Sequence, residues 1–357
     1  MTSRISGGAA RAASAERTAA ASISTAAASP ASSAKRPLRV VTIGGGTGQP
    51  GMIAALRQLS YPVQIDAVVA MADDGRSTGA LRRWEGILPP GDLRKCMVSL
   101  AADPAGPLAR AFEHRFAYLD NHALGNLLIT ALVDEDRSFT EALRICEGLL
   151  GCVGQVHPST LDDIGMAGET ASGAFVDGQA RLSYGGVGRV ARVWLIPAEP
   201  RANRDAVRAI EQADLIAIGP GSLFTSIMPN LLVPGILRAV RRASAPVVLT
   251  CPRADVPGET EGMTVEDYVA QVEAAGLAGH IDAVIANRPG PRVPAQDGTL
   301  PYPDVAFLPG AEARLAARVP HLLVCDLADA RRSSIYDSAR LAVALDEVVR
   351  ACRSPQR

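Results

Sequence analysis

Aromatic residues are scarce, at 4% of the 357-residue chain. No apolar run approaches the roughly 18 residues that a membrane-crossing helix needs. The longest runs, typified by Pro246-Val247-Val248-Leu249, are strand-sized, so no membrane partner is expected. Charge of one sign is also lacking: 36 Lys and Arg against 37 Asp and Glu leave a net charge of −1, and nothing suggests a nucleic-acid partner. Six cysteines (Cys96, Cys146, Cys152, Cys251, Cys325, Cys352) fall without paired spacing. That pattern argues against a disulfide framework or a zinc site and suits a reducing cytoplasm. What is present is an α/β composition, 48% apolar and rich in Ala, Val, Leu and Gly.

Residues 1–36 are mostly Ala, Ser, Thr and Arg, with Glu16 the only acid. So few large apolar side chains cannot offset the entropy of ordering, and a disordered tail is expected there. A single α/β domain is expected over residues 37–352. Strand-like runs (Leu38 to Ile43, Ile65 to Met71, Arg192 to Ile196, Leu215 to Ile218, Val247 to Thr250, Ala283 to Ala286, Leu322 to Cys325) alternate with helical patterns such as Met52 to Leu59 and Ser338 to Ala351. The alternation predicts a doubly wound, Rossmann-like parallel sheet with helices on both faces. Between about residues 151 and 184 the pattern breaks into short polar segments, and Asp177-Gly178 reads as a hairpin turn, so a small antiparallel insertion is expected.

The most informative stretch is Val40 to Gly51, where a buried strand runs into Gly44-Gly45-Gly46-Thr47-Gly48 and a helix follows. Glycines let the backbone approach a ligand, and the free N–H groups of a helix start favour an anion, so a phosphate is expected near Gly46. Gly46-x-Gly48-x-x-Gly51 also fits the dinucleotide fingerprint, which raises a nicotinamide-dependent oxidoreductase as one reading. A phosphate-binding P-loop is excluded because no Lys-Ser or Lys-Thr follows the last glycine. A tight turn without ligand is the bland alternative.

Four further segments end apolar runs with Gly, Asp, Asn, Ser or Thr, and in a parallel sheet such loops gather at one edge. In Ala72-Asp73-Asp74-Gly75-Arg76-Ser77-Thr78, the two carboxylates could hold a ribose or a divalent cation such as Mg²⁺. They are also the catalytic candidates if a reaction occurs. In Pro90-Gly91-Asp92-Leu93-Arg94-Lys95, Asp92 would cap a helix whose first-turn cations, Arg94 among them, are explained by a nearby anion. Asn126, on the otherwise apolar helix from Leu124, must find partners and could read a base or sugar. Gly219-Pro220-Gly221-Ser222-Leu223-Phe224-Thr225-Ser226, followed by Asn230, reads as a second phosphate cradle. No Ser/His/Asp arrangement or Gly-x-Ser-x-Gly elbow is found, so the chain reads as a binder first.

In this order the motifs, above all Gly219 to Ile236 and Pro257-Gly258-Glu259-Thr260-Glu261-Gly262, resemble the gluconeogenesis factor family, the YvcK type of CofD-like (UPF0052) proteins. The resemblance covers roughly residues 38–345. It implies a cytoplasmic bacterial protein that binds a UDP-sugar such as UDP-N-acetylglucosamine and supports cell-wall synthesis and cell shape during gluconeogenic growth. Gly44, Gly45, Gly46, Thr47 and Gly48 would hold phosphate, Asp73 and Asp74 the ribose or Mg²⁺, and Gly221, Ser222, Thr225 and Asn230 the second phosphate or sugar. Arg94 and Asn126 complete the expected ligand set, and a homo-oligomer is expected. The related CofD branch implies an alternative, a Mg²⁺-dependent transfer of a phospholactyl group from a guanylylated donor onto a deazaflavin. The chain departs from the family pattern at Gln49-Pro50-Gly51 (usually more apolar), Arg76 (usually Gly), Asn121-His122-Ala123 (usually Gly-His-Ser) and Ile335-Tyr336-Asp337 (usually Arg-His-Asp).

Overall fold

The computed structural model describes residues 36–135, 137–290, 302–329 and 335–353; residues 1–35 of the expected tail lie outside them. Its strands in chain order are β1 (Leu38–Gly44), β2 (Val63–Val69), β3 (Arg115–Phe116), β4 (His122–Ala123), β5 (Gly154–Pro158), β6 (Gly165–Thr170), β7 (Phe175–Asp177), β8 (Val190–Ile196), β9 (Leu215–Ile218), β10 (Val247–Thr250), β11 (Ala283–Asn287) and β12 (His321–Cys325). Seven of them form a parallel sheet in the order β12-β11-β10-β9-β1-β2-β5. β9, β10 and β11 are buried throughout, which is why they read as unbroken apolar runs instead of alternating ones.

From β1 the chain moves outward through β2 to β5, then returns to the other flank of β1 as β9. The strand order therefore reverses between β1 and β9, and the crevice at their carboxyl ends is where an open parallel sheet takes its ligands. The glycine loop after β1 and the Gly219–Ser226 segment after β9 both open there. Buried Gln49 stitches the floor together. Its Nε2 donates to Val68 O (2.9 Å) and to Thr42 Oγ1 (3.0 Å), while Cys96 Sγ donates to its Oε1 (3.6 Å). A buried polar residue is stable here because every polar atom of its side chain is partnered.

Three expectations need correction. The run Arg192 to Ile196 belongs to β8 of a three-stranded antiparallel sheet, β7-β6-β8, and the parallel sheet gains β5 as its edge instead. The insertion accordingly occupies β6 to β8 and not residues 151–184. β5 escaped notice because it is short and polar; its His157 Nε2 reaches Asp66 Oδ1 of β2 at 2.7 Å, a pairing no local pattern announces. The turn between β6 and β7 lies at Ala171–Ala174, closed by Ala174 N–H donating to Thr170 Oγ1 (3.1 Å). Asp177-Gly178 ends β7 and opens the helix Gln179–Tyr184.

Candidate functional site

A cavity of about 820 Å³ lies at the β1/β9 switch. Its floor is Gly45, Gly46, Thr47, Gly48, Asp73, Asp92, Lys95, Gly221, Ser222, Thr225 and Ser226. Two conformational facts make this floor possible. Gly46 sits at φ +65°, open to glycine and costly for other residues. Gly48 starts the helix Gly48–Leu56 so close to the β9 loop that a Cβ would lie 2.0 Å from Pro220 O. Gly51, by contrast, faces open space, so it lacks the helix-to-sheet contact that the third glycine of a dinucleotide fingerprint supplies.

The loop already holds an anion. Gly46 N–H donates to Asp92 Oδ2 at 2.6 Å, and Lys95 Nζ donates to Asp92 Oδ1 at 2.9 Å. Pro90 occupies the cap position expected of Asp92, which sits instead in the first turn of the helix Gly91–Leu100, aimed at the glycine loop. Asp73 shares the floor. Burial first and the Asp92 charge second raise its carboxyl to about 6, although Gly75 N–H donates to it at 3.0 Å. Burial would lower the Lys95 ammonium, but Asp92 and Asp73 together outweigh it and hold it above its ordinary value. The site is thus a cation between two carboxylates beneath a ring of N–H and hydroxyl donors.

Several expected ligand residues act from behind this floor. Both oxygens of Asp74 are spent on the start of the helix Gln179–Tyr184, accepting Gln179 N–H (3.1 Å) and Ala180 N–H (2.8 Å). The acid pair facing the cavity is therefore Asp73 with Asp92, a correction to the Asp73–Asp74 pair. Arg94 and Asn126 are buried outside the lining, with Arg94 Nε donating to Asn126 Oδ1 (2.9 Å), Asn126 Nδ2 donating to Ser77 Oγ (3.2 Å) and Arg94 Nη1 paired with Glu113 (2.5 Å). Glu113, rather than a ligand anion, is the partner that Arg94 finds. Gly44 ends β1, and its carbonyl accepts from Asn230 Nδ2 (2.8 Å), so both tie the β1 end to the loop after β9.

The second cradle is also filled from within. Glu259, 1% exposed, accepts from Phe224 N–H (3.2 Å), Thr225 N–H (3.1 Å) and Thr225 Oγ1 (3.1 Å) through Oε1. These donors are taken, and the Ser222 hydroxyl also bonds the Glu259 carboxyl, so the loop can offer a ligand Ser226 and backbone nearer Gly221. The Glu259 carboxyl is pushed up to about 7, chiefly by burial. Its folded value lies above the unfolded one, so its contribution to stability is present at low pH and is lost as pH rises through about 7. Glu259→Gln keeps the acceptor and removes the charge; its melting temperature should fall clearly less than the wild type's as pH rises from about 5 to about 7, the slope that remains being that of Asp73. Glu259→Ala should instead cost about 1–3 kcal/mol at any pH for each N–H left unpaired, read by denaturant titration. A Gln variant with the wild-type slope would remove Glu259 as the titrating group.

At the far end of the cavity are Arg253, Tyr302, Ile335, Tyr336 and Asp337. Tyr336 Oη donates to Cys251 O at 2.5 Å, and Asp337 Oδ1 accepts Ala339 and Arg340 N–H groups, capping the last helix, Ser338–Arg353. Ile335 and Tyr336 thus bring no cation to this wall, while Arg253 supplies one, paired with Asp304 at 3.0 Å. Among the described residues all six cysteines are free, no group of three or more metal-binding side chains is found, and no single helix is long and apolar enough to cross a membrane.

A crevice floored by a glycine loop fits many nucleotide proteins; comparison with known proteins narrows it. The family model for 2-phospho-L-lactate transferase CofD matches residues 40–297. The chain belongs to the gluconeogenesis factor family of CofD-like proteins. A gluconeogenesis factor from Halalkalibacterium halodurans is 36% identical over 70% of this chain and 77% of its own length. A relative from Nostoc sp. is 40% identical over 71% of this chain, which spans only 56% of that protein. The crystal structure of a UPF0052 family member from Bacillus halodurans superposes with a TM-score of 0.76 at 30% identity, covering 87% of this chain and 99% of the other. The CofD-like match spans β1 to β11 and so contains the glycine loop, the acid pair and the β9 loop.

Sequence reasoning missed Glu259 and Gln179 as parts of the site's frame. Glu259 lies in a motif that marked the family, but its partners stand 34 and 35 residues away and no spacing rule links them.

Proposed function

We propose that the crevice binds a nucleotide-sugar or a related phosphorylated small molecule by its diphosphate, and that the protein is a regulatory binder. The observation that carries this reading is the Asp92 carboxylate on Gly46 N–H and Lys95. An anion already uses the donors that a phosphate oxygen would use. Thr47 and Ser226 add hydroxyls, and a cavity of about 820 Å³ has room for a nucleotide with its sugar. A UDP-sugar is the ligand class that the resemblance implies, and we extend the reading to a role in cell-wall synthesis, cell shape and carbon metabolism, in the cytoplasm and as a homo-oligomer.

A second reading, transfer of a phosphorus-linked group, is favoured by the Asp73–Asp92 pair facing the cavity. Two carboxylates beside a diphosphate site are an all-oxygen donor set that suits Mg²⁺ once a ligand has displaced Asp92 from Gly46 N–H, whereas Asp74 caps a helix outside the cavity lining. Bound there, the metal would neutralise charge on bridging phosphate oxygens. The chain's own residues would orient the diphosphate on the glycine loop and hold the charge of Lys95 against it.

The test is thermal stabilisation by UDP-N-acetylglucosamine, UDP-glucose, GDP, NAD and a deazaflavin, each with and without Mg²⁺. A ligand at 100 times its dissociation constant adds about 2.7 kcal/mol. A UDP-sugar response without metal dependence is the expected result; a GDP response that requires Mg²⁺ and deepens with the deazaflavin selects the transferase. No shift with any of the five would overturn both readings.

A further inference from the structure

The helix Gln179–Tyr184 crosses the crevice between two loops of the phosphate floor. Asp74 caps its start from the β2 side, and Gln179 Nε2 donates to Thr225 O (3.3 Å) on the β9 side. Its last residue, Tyr184, lines the cavity and yet is 74% exposed. In a chain with only six tyrosines, six phenylalanines and two tryptophans, an exposed ring at a cavity wall calls for an explanation. The Arg76 guanidinium lies over this ring, 5.4 Å from its centroid. Arg76 holds φ +43°, a left-handed conformation that disfavours a bulky side chain.

From these observations, and resting on the diphosphate reading above, we infer that the open face of Tyr184, with Arg76 on the other, is a stacking platform for the planar heterocycle of the ligand. The guanidinium stiffens the ring and places a positive charge beside the anionic ligand. Tyr184 lies five residues beyond Gln179, about 7.5 Å along a helix axis, a separation of the order of a ribose. Because the helix start is fixed by both loops, that spacing is set before the ligand arrives. Ser183, also on the wall, supplies a hydroxyl next to the platform.

Calorimetric titration of UDP, GDP and inorganic pyrophosphate, in the presence of Mg²⁺, into the wild type and three variants tests the platform. Tyr184→Ala should weaken UDP and GDP about tenfold or more and leave pyrophosphate within about twofold. Tyr184→Phe should bind all three like the wild type, and Arg76→Gly should weaken the nucleotides by a smaller factor. Tyr184 is exposed, so these variants should fold, which their melting curves verify. Unchanged nucleotide affinity in Tyr184→Ala, or an equal loss for pyrophosphate, overturns the platform. A wild type that binds pyrophosphate and neither nucleotide overturns it while leaving the phosphate floor standing; one that binds none of the three overturns the diphosphate reading, and the platform with it.

Discussion

Gly48→Ala should abolish binding of every phosphorylated ligand and lower the melting temperature by several degrees, whereas Gly51→Ala, three residues on, should not. The added methyl at Gly48 would stand 2.0 Å from Pro220 O and 2.7 Å from Pro220 C, backbone atoms that cannot swing aside as a side chain can. The two loops must separate. Their contact closes the β1/β9 crevice, so the cost falls on folding and on the phosphate floor together, by about 1–3 kcal/mol for an overpacked core site. At Gly51 a methyl meets nothing within 4 Å and the backbone is helical. Alanine there should raise stability by about 0.5–1 kcal/mol. Denaturant melts and pyrophosphate titrations of the two variants decide the matter; equal behaviour would mean that loop contact does not shape the site.

Asp92→Ala should tighten metal-free pyrophosphate binding at least about tenfold and remove any enhancement by Mg²⁺. In the wild type a ligand phosphate must displace this carboxylate from Gly46 N–H and then lie beside Asp73. Two like unit charges about 4 Å apart repel by roughly 4 kcal/mol at an effective dielectric constant of 20, and a third of that is a factor of ten. Removing Asp92 frees Gly46 N–H and Lys95 for the ligand and takes away the charge that, after burial, most raises the Asp73 carboxyl. For the wild type the sign with pH follows. Asp73, raised to about 6, takes up a proton as pH falls through that value, so metal-free binding of the anion should tighten as pH drops from 7.5 to 5.5. The slope should flatten in the variant, and binding weaker than wild type would make Asp92 a required ligand partner instead of an occupant to be displaced.

Much of the frame is legible locally. The strand runs from Leu38, Leu215, Val247 and Ala283 are buried on both faces and therefore continuous in their apolar character. The glycine loop is legible because a strand, three glycines and a helix leave few backbone alternatives. β5 is not, since Gly154-Gln155-Val156-His157-Pro158 is short and polar and becomes a strand by pairing with β2. Nor is the true hairpin turn, because a Thr170 hydroxyl bond closes it at Ala171–Ala174.

The division within the site has the same cause. That an anion belongs near Gly46, and that acids and hydroxyls cluster around it, is dictated by residue types whose effect acts over a few neighbouring peptides: glycine's freedom at φ > 0 and the donors of a helix start. Which acid faces the cavity is decided by packing. Asp74 turns to cap a helix 105 residues away, Asp92 reaches back 46 residues to the glycine loop, and Glu259 fills the second cradle from 34 residues downstream. A carboxylate goes wherever buried N–H groups lack a partner, and which N–H groups those are is known only once the loops of β1, β2 and β9 have been brought to one edge of the sheet.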